Sequence, residues 1–143
     1  MITVEGSKII ESPVENVFGY MNQPEHQVEI TPSLSEVKNI ERIENGGIRA
    51  DYTYNMAGMN FRGKVEAREF KPEEKINFRM SGDIDGNIIW LFKPQNGHTE
   101  FTYRAEYEIP NKLLEKLARK FVEYYNEREI EHLLNNLKAR LES

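Results

Sequence analysis

From Asn111 to Leu141 the chain contains neither glycine nor proline, and Pro110 stands immediately before this stretch. A segment of that length with no breaker is one long helix. The chain before it has the opposite character. Asn45-Gly46-Gly47, Ala57-Gly58, Lys71-Pro72-Glu73, Ser81-Gly82-Asp83 and Asn96-Gly97 recur at regular spacing and divide Val37 to Ile109 into strands in hairpin succession. One helix must therefore cover one curved antiparallel sheet, and that arrangement leaves a pocket between them.

Alternation fixes the two faces of the sheet. Ile48, Ala50, Tyr52, Tyr54 and Met56 interleave with Arg49, Asp51, Thr53 and Asn55, and Ile76, Phe78 and Met80 with Lys75, Asn77 and Arg79. Val37, Ile40 and Ile43 fall three apart instead, which predicts a bulge or bend in that strand. Upstream, Ile2 to Glu11 adds a further strand, giving seven in all. It ends at Ser12-Pro13-Val14-Glu15, a capping-box pattern in which Ser12 accepts a backbone N–H and Pro13 takes the first helical position. The helix begun there turns Val14, Val17, Phe18 and Met21 inward. A second short helix, Glu25 to Ile30, lies between Pro24 and Pro32.

At 143 residues the chain is expected to form a single domain, 1–143, burying about 68–70% of its unfolded surface without staples. With no cysteine, disulfides, thiolate metal sites and cysteine nucleophiles are excluded. A net charge of -5 argues against a nucleic-acid or anionic-membrane surface, because both need clustered cations. No apolar run approaches the ~18 residues of a membrane span, and MITVEGSKII lacks a basic leader and cleavage site. A soluble cytoplasmic protein is expected.

The order strand, two short helices, six strands, long helix, with Ser12-Pro13-Val14-Glu15-Asn16-Val17-Phe18 opening the first helix, resembles the START-like helix-grip (SRPBCC) superfamily. Asn22-Gln23-Pro24-Glu25, Gly97-His98-Thr99 and Tyr107-Glu108-Ile109-Pro110 look like its polyketide cyclase/dehydrase branch. The resemblance covers essentially the whole chain. It implies an α+β helix-grip fold with a deep apolar cavity between the sheet and the long helix. Members include lipid and hormone carriers, ubiquinone-binding proteins, aromatic cyclases and oxygenase domains, so the resemblance carries no single catalytic residue across.

The cavity lining follows from the inward face. The expected ligand-binding set is Tyr52, Tyr54, Met56, Phe61, Phe78, Met80, Trp90, Phe92, Phe101, Tyr103 and Tyr107 from the sheet, with Leu114, Leu117 and Phe121 from the helix. Gly63, Val65, Ala67, Gly86, Ile88 and Ala105 also point inward, and small residues beneath large rings leave unfilled volume. No charged residue falls in this inward set, so no catalytic acid or base is assigned. Tyrosine hydroxyls and the Trp90 indole suit an apolar ligand with a few oxygens. A carrier of a small lipid-like or aromatic ligand is the leading expectation. A polyketide cyclase or dehydrase is the alternative, and would need an ionisable group such as His26 or Glu69 turned inward. A protein-interaction module with a collapsed cavity is the third.

Along the long helix Leu114, Leu117, Ala118, Phe121 and Tyr125 share one face, and Ile130, Leu133, Leu137 and Leu141 another. The first half is expected to act as a lid and the second as a clamp on the far end of the sheet; a kink or a dimer contact would give the same phase change. Glu129-x-x-His132 and His26-x-x-Glu29 have metal-pair spacing, but solvated helix surface explains them more simply, as it does the run Glu127-Arg128-Glu129. No metal or cofactor is expected. With Trp90 and Phe92 inward, Ile89 and Leu91 point outward as a contact patch, so the expected state is a monomer or a weak homodimer.

Overall fold

The computed structural model describes residues 1–142, with the backbone alone for residues 120–126. In chain order the elements are β1 (Ile2–Ile10), α1 (Val14–Met21), α2 (Pro24–Ile30), β2 (Leu34–Arg42), β3 (Ile48–Met56), β4 (Met59–Lys71), β5 (Lys75–Gly82), β6 (Asp85–Gln95), β7 (His98–Glu108) and α3 (Lys112–Glu142). The strands form one antiparallel sheet in the order β1-β7-β6-β5-β4-β3-β2. This is the seven-stranded helix-grip architecture, with β1 returning beside β7 to complete one edge.

Each hairpin closes at the turn chemistry the sequence supplies. Ala57 and Gly58 have φ of 53° and 81°, and Asn96 and Gly97 of 50° and 83°. Paired positive φ is the geometry of the tight hairpin turns whose twist matches that of the strands. The irregular spacing in β2 is a real bulge: its register with β3 shifts between Leu34 and Glu36 and between Lys38 and Glu41, with Asn39 at φ 54°.

The start of α1 differs from the capping-box expectation. Pro13 is the residue that flanks the helix, and no side chain caps it. Ser12 instead turns back into the core: its N–H donates to Ile10 O at 2.8 Å, and its carbonyl accepts the buried Thr99 hydroxyl at 2.8 Å. Those contacts tie the end of β1 to β7, so the Ser12 backbone serves the sheet rather than the helix. The long helix does have a side-chain cap. Asn111 Oδ1 accepts the N–H groups of Leu113 and Leu114 at 3.0 and 3.1 Å, satisfying two of the orphan donors of a first turn.

The second half of α3 is the clamp. Leu133, Leu134 and Leu137 are buried, and Ile130 and Leu134 come so close to β1 that a Cβ on Gly6 would lie 2.8 Å from Ile130 Cγ2. Of the expected lid face, Ala118 is buried and Leu114 packs partly buried on the core, while Leu117 points outward. Leu117 is 51% exposed, Leu113 is 66% exposed, and Ala118 is the buried residue of this half among those described. Phe121 and Tyr125 lie outside the described side chains. The opposite end of the sheet is closed by α1, where Phe18 packs on Phe70 and Phe92 with ring centroids 5.8 and 5.3 Å apart.

Candidate functional site

Two neighbouring chambers occupy the concave face. The outer one, about 80 Å³, is roofed by Met21, Asn22, Pro24, Gln27 and Thr31 at the α1–α2 corner. Its floor is Tyr52, Phe78, Met80, Ile88 and Trp90, and Leu34, Val37, Ile48 and Val65 close its flank. The inner one, about 50 Å³, lies beneath α3 between Val4, Ser33, Met56, Ile84, Ala105, Tyr107, Glu129 and Ile130. Tyr54, Met80, Ile88 and Tyr103 line both. One buried water needs about 10–15 Å³ on this kind of measure, so the outer chamber has room for about five to eight waters, the bulk of one or two fused rings.

The fourteen expected lining residues divide by depth. Tyr52, Tyr54, Phe78, Met80, Trp90 and Tyr103 border the outer chamber, and Met56 and Tyr107 the inner one. Phe61, Phe92 and Phe101 face inward but are packing: Phe92 sits 5.3 Å from Phe101, and Phe61 and Phe101 are wholly buried. Neither Leu114 nor Leu117 borders a chamber, and Phe121 lies outside the described residues. Ile48, Val65 and Ile88 were legible in the strand alternation. The α1–α2 corner was not, because nothing in a strand pattern says how far a following helix pair leans over the sheet.

The outer chamber is chemically quiet. Asn22 is held by Arg42, whose Nη1 donates to its Oδ1 at 3.2 Å and whose Nη2 donates to its carbonyl at 3.0 Å. Gln27 donates to Met21 O at 3.2 Å. Tyr52 is likewise committed: its oxygen lies 2.9 and 3.0 Å from the carbonyls of Ser81 and Ile84 and accepts the Ile84 N–H at 3.2 Å. Burial pushes its pKa up to about 12. The close seat of this ring requires Gly63 opposite it, where a Cβ would stand 2.4 Å from the Tyr52 hydroxyl. The Trp90 indole N–H is buried and has no partner among the described residues.

The inner chamber contains a carboxylate. Glu129, expected on a solvated face, is half-buried and accepts the Ser33 N–H on Oε1. Burial raises its pKa above the usual value of 4.5, while Ser33 and the charge of His132 pull the other way. Around it stand Tyr54 and Tyr103, whose hydroxyl pKa values are raised first by burial, with the Glu129 charge contributing to both. Among the described residues neither hydroxyl has a hydrogen-bond partner. Ser33 Oγ is buried beside the same carboxylate. The signal for Glu129 was the phase break at Asn126 to Glu129: the turn where α3 passes from one apolar face to the other brings a polar position inward.

The other ionisable candidates are occupied elsewhere. His26 stacks on Tyr20 with centroids 4.1 Å apart and places Nδ1 2.9 Å from Tyr20 O. Glu29 pairs with Arg140 at 3.0 Å. Glu69 pairs with Lys75 at 3.0 Å on the outside of the sheet, which holds its carboxyl below the usual range. Among the described residues no three His, Asp or Glu side chains are grouped to hold a metal ion. Nor is any described helix long and apolar enough to cross a membrane.

A curved antiparallel sheet gripping a long C-terminal helix over an apolar chamber defines a START-like helix-grip protein. The chain belongs to the polyketide cyclase / dehydrase and lipid transport family, which matches residues 1–142. Solved structures with the same fold include TTHA0849 from Thermus thermophilus, 22% identical, covering 97% of this chain and 96% of that one with a TM-score of 0.81. The Zhui aromatase/cyclase from Streptomyces sp. R1128 is 16% identical over 98% of this chain and 93% of that one, with a TM-score of 0.77. A START superfamily protein from Mycobacterium smegmatis is 15% identical over 98% and 97%, with a TM-score of 0.71. No curated protein matches the chain in sequence.

Proposed function

We propose that the protein binds and carries a small apolar ring-containing molecule in the outer chamber. The observation that carries this reading is an apolar chamber floored by the Phe78 and Trp90 rings, with the Asn22 and Gln27 side chains at its rim already held by the protein. The chamber's volume suits one or two rings rather than a long acyl chain. Trp90 is the only tryptophan, so its emission reports on the chamber directly. A panel of one- and two-ring aromatics and quinones should shift that emission saturably; a panel that leaves it unchanged overturns the reading.

A second reading, cyclase or dehydrase chemistry, gains support from Glu129, an ionisable group turned inward among tyrosines. It requires turnover. Incubation with an enolisable aryl diketone, followed by mass spectrometry, separates the two: a dehydrated product formed by wild type and lost in Glu129→Gln favours the enzyme, and unchanged diketone favours the carrier.

A further inference from the structure

The carrier reading leaves the inner chamber unused, although several polar groups converge on it. The Ser33 N–H occupies Oε1 of Glu129, and the buried Ser33 hydroxyl acts on the same carboxylate, leaving Oε2 to receive a further donor. The Tyr54 and Tyr103 hydroxyls add two groups that either donate or accept. These come from four separate parts of the chain: the α2–β2 connection, β3, β7 and α3. No local turn or cap accounts for their convergence. A buried polar group left unpaired is unfavourable, so such a cluster marks a place where a polar partner is received.

The two chambers share part of their walls. Tyr54, Met80, Ile88 and Tyr103 each line both, so a ring resting on Phe78 and Trp90 directs a substituent between Tyr54 and Tyr103 toward Glu129. Resting on the carrier reading, we propose that the chambers form one site for a hydroxylated one- or two-ring aromatic compound. The ring lies in the outer chamber, and its hydroxyl donates to the Glu129 carboxylate in the inner one, flanked by the Tyr54, Tyr103 and Ser33 hydroxyls. The site therefore selects phenol-type ligands over hydrocarbons of the same shape.

A phenol is the donor that fits an acceptor-only carboxylate. Its hydroxyl keeps its proton through neutral pH, as that of tyrosine does, and a hydrogen bond to an ionised acceptor is about twice as strong as one between neutral groups. Binding should then follow the charge on Glu129. Among the described residues the titratable groups facing it are Tyr54 from β3, Tyr103 and Tyr107 from β7, and His132 on α3 itself. Burial raises the Tyr54 and Tyr103 hydroxyls further above neutrality, so Glu129 is the acceptor whose charge the binding follows.

The test is equilibrium dialysis of the full chain against 2-naphthol and naphthalene. Wild type should hold 2-naphthol about tenfold more tightly at about pH 7.5, the effect of one charge-assisted hydrogen bond. Glu129→Gln keeps the shape and should reduce that preference at least threefold while leaving naphthalene unchanged. Wild type alone gives a check that needs no variant. From pH 8 to pH 4, with circular dichroism verifying the fold, 2-naphthol affinity should fall as Glu129 takes a proton, while naphthalene affinity stays flat. His132→Gln should retain the fall. Equal affinity for the two ligands, an equal loss of both in Glu129→Gln, or a flat 2-naphthol profile overturns the inner-chamber assignment and leaves the carrier reading standing. Failure of both ligands to bind wild type overturns both.

Discussion

Tyr52 and Tyr103 look equivalent as sequence, two tyrosines on inward positions of the sheet, but their hydroxyls have different tasks. The Tyr52 oxygen is tied to the β5–β6 connection by Ser81 and Ile84, whereas Tyr103 has no hydrogen-bond partner among the described residues. Tyr52→Phe should therefore destabilise the fold by about 1 kcal/mol, one net hydrogen bond, and leave ligand affinity alone. Tyr103→Phe should leave the melting temperature nearly unchanged and weaken a hydroxylated ligand by about 0.5–1.5 kcal/mol. Thermal melts and dialysis on both variants check this, and the same loss of affinity in each would contradict it. Strand alternation placed both rings correctly; it could not reveal which hydroxyl was already used, because the partners of Tyr52 come from a distant turn. Glu129 was harder still, since its burial depends on Ser33, a residue in a different connection. Its raised pKa also has a consequence for stability. The folded protein binds the extra proton between the ordinary carboxyl pKa and the raised one, so stability falls as pH rises through that window, and the cost is complete above it. The stability of Glu129→Gln relative to wild type should therefore improve from pH 4 to pH 7. Denaturant titrations at the two pH values measure this, and a constant gap would mean that burial does not govern this carboxyl.

At the scale of elements, α3 is one continuous helix that does two unequal jobs. Its C-terminal half lies on β1 closely enough that Gly6 is required: an added Cβ would meet Ile130 Cγ2 at 2.8 Å and Leu134 Cδ1 at 3.1 Å. Leu134 has a flexible tip, but the Ile130 methyl sits on a β-branched stem with little freedom. Gly6→Ala should cost about 1–3 kcal/mol as an overpacked contact, and Ile130→Val in the same chain should not rescue it, because valine retains both γ-methyls, whereas Ile130→Ala should recover part. If the glycine substitution is neutral, the helix does not rest on β1 at that point. The N-terminal half starts at a true cap. Asn111→Ala should lower stability by about 1 kcal/mol, and Ser12→Ala should show no cap loss, since the Ser12 contacts to Ile10 and Thr99 run through its backbone. The number and order of elements were legible because every hairpin has its own turn residues. The capping box at Ser12 misled because a motif competes with tertiary demand: the peptide at Ser12 was needed to join β1 to β7. Leu117 was misplaced for a related reason, since the periodicity of α3 gives two faces and does not say which meets the cavity.

Over the whole molecule, the concave face is divided between filled and unfilled volume. One end is closed by interlocked rings, Phe18 against Phe92 and Phe92 against Phe101, each 5.3 Å apart; the other, where Trp90 leans on Phe78 at 4.6 Å, is left open above the floor. Cavities are destabilising in proportion to their volume, roughly 24 cal/mol per Å³ in large-to-small series, so a fold that leaves two adjoining chambers open gives up stability that a bulkier residue would recover. Ile88 is the residue to test, because it lines both chambers and its strand partners are Phe78 and Ala105. If the chambers are genuine space, the ring of Ile88→Phe enters void, and the melting temperature should hold or rise by the equivalent of up to about 1 kcal/mol. Affinity for naphthalene should fall tenfold or more, and 2-naphthol should suffer at least as much, because the ring stands in the wall that the two chambers share. An ordinary close-packed interior would respond in the opposite way, losing about 1–3 kcal/mol to overpacking. Differential scanning calorimetry and dialysis on this one variant therefore decide whether the interior is an imperfect core or volume kept open for a ligand: a lowered melting temperature supports the first, and a held or raised one with binding abolished supports the second.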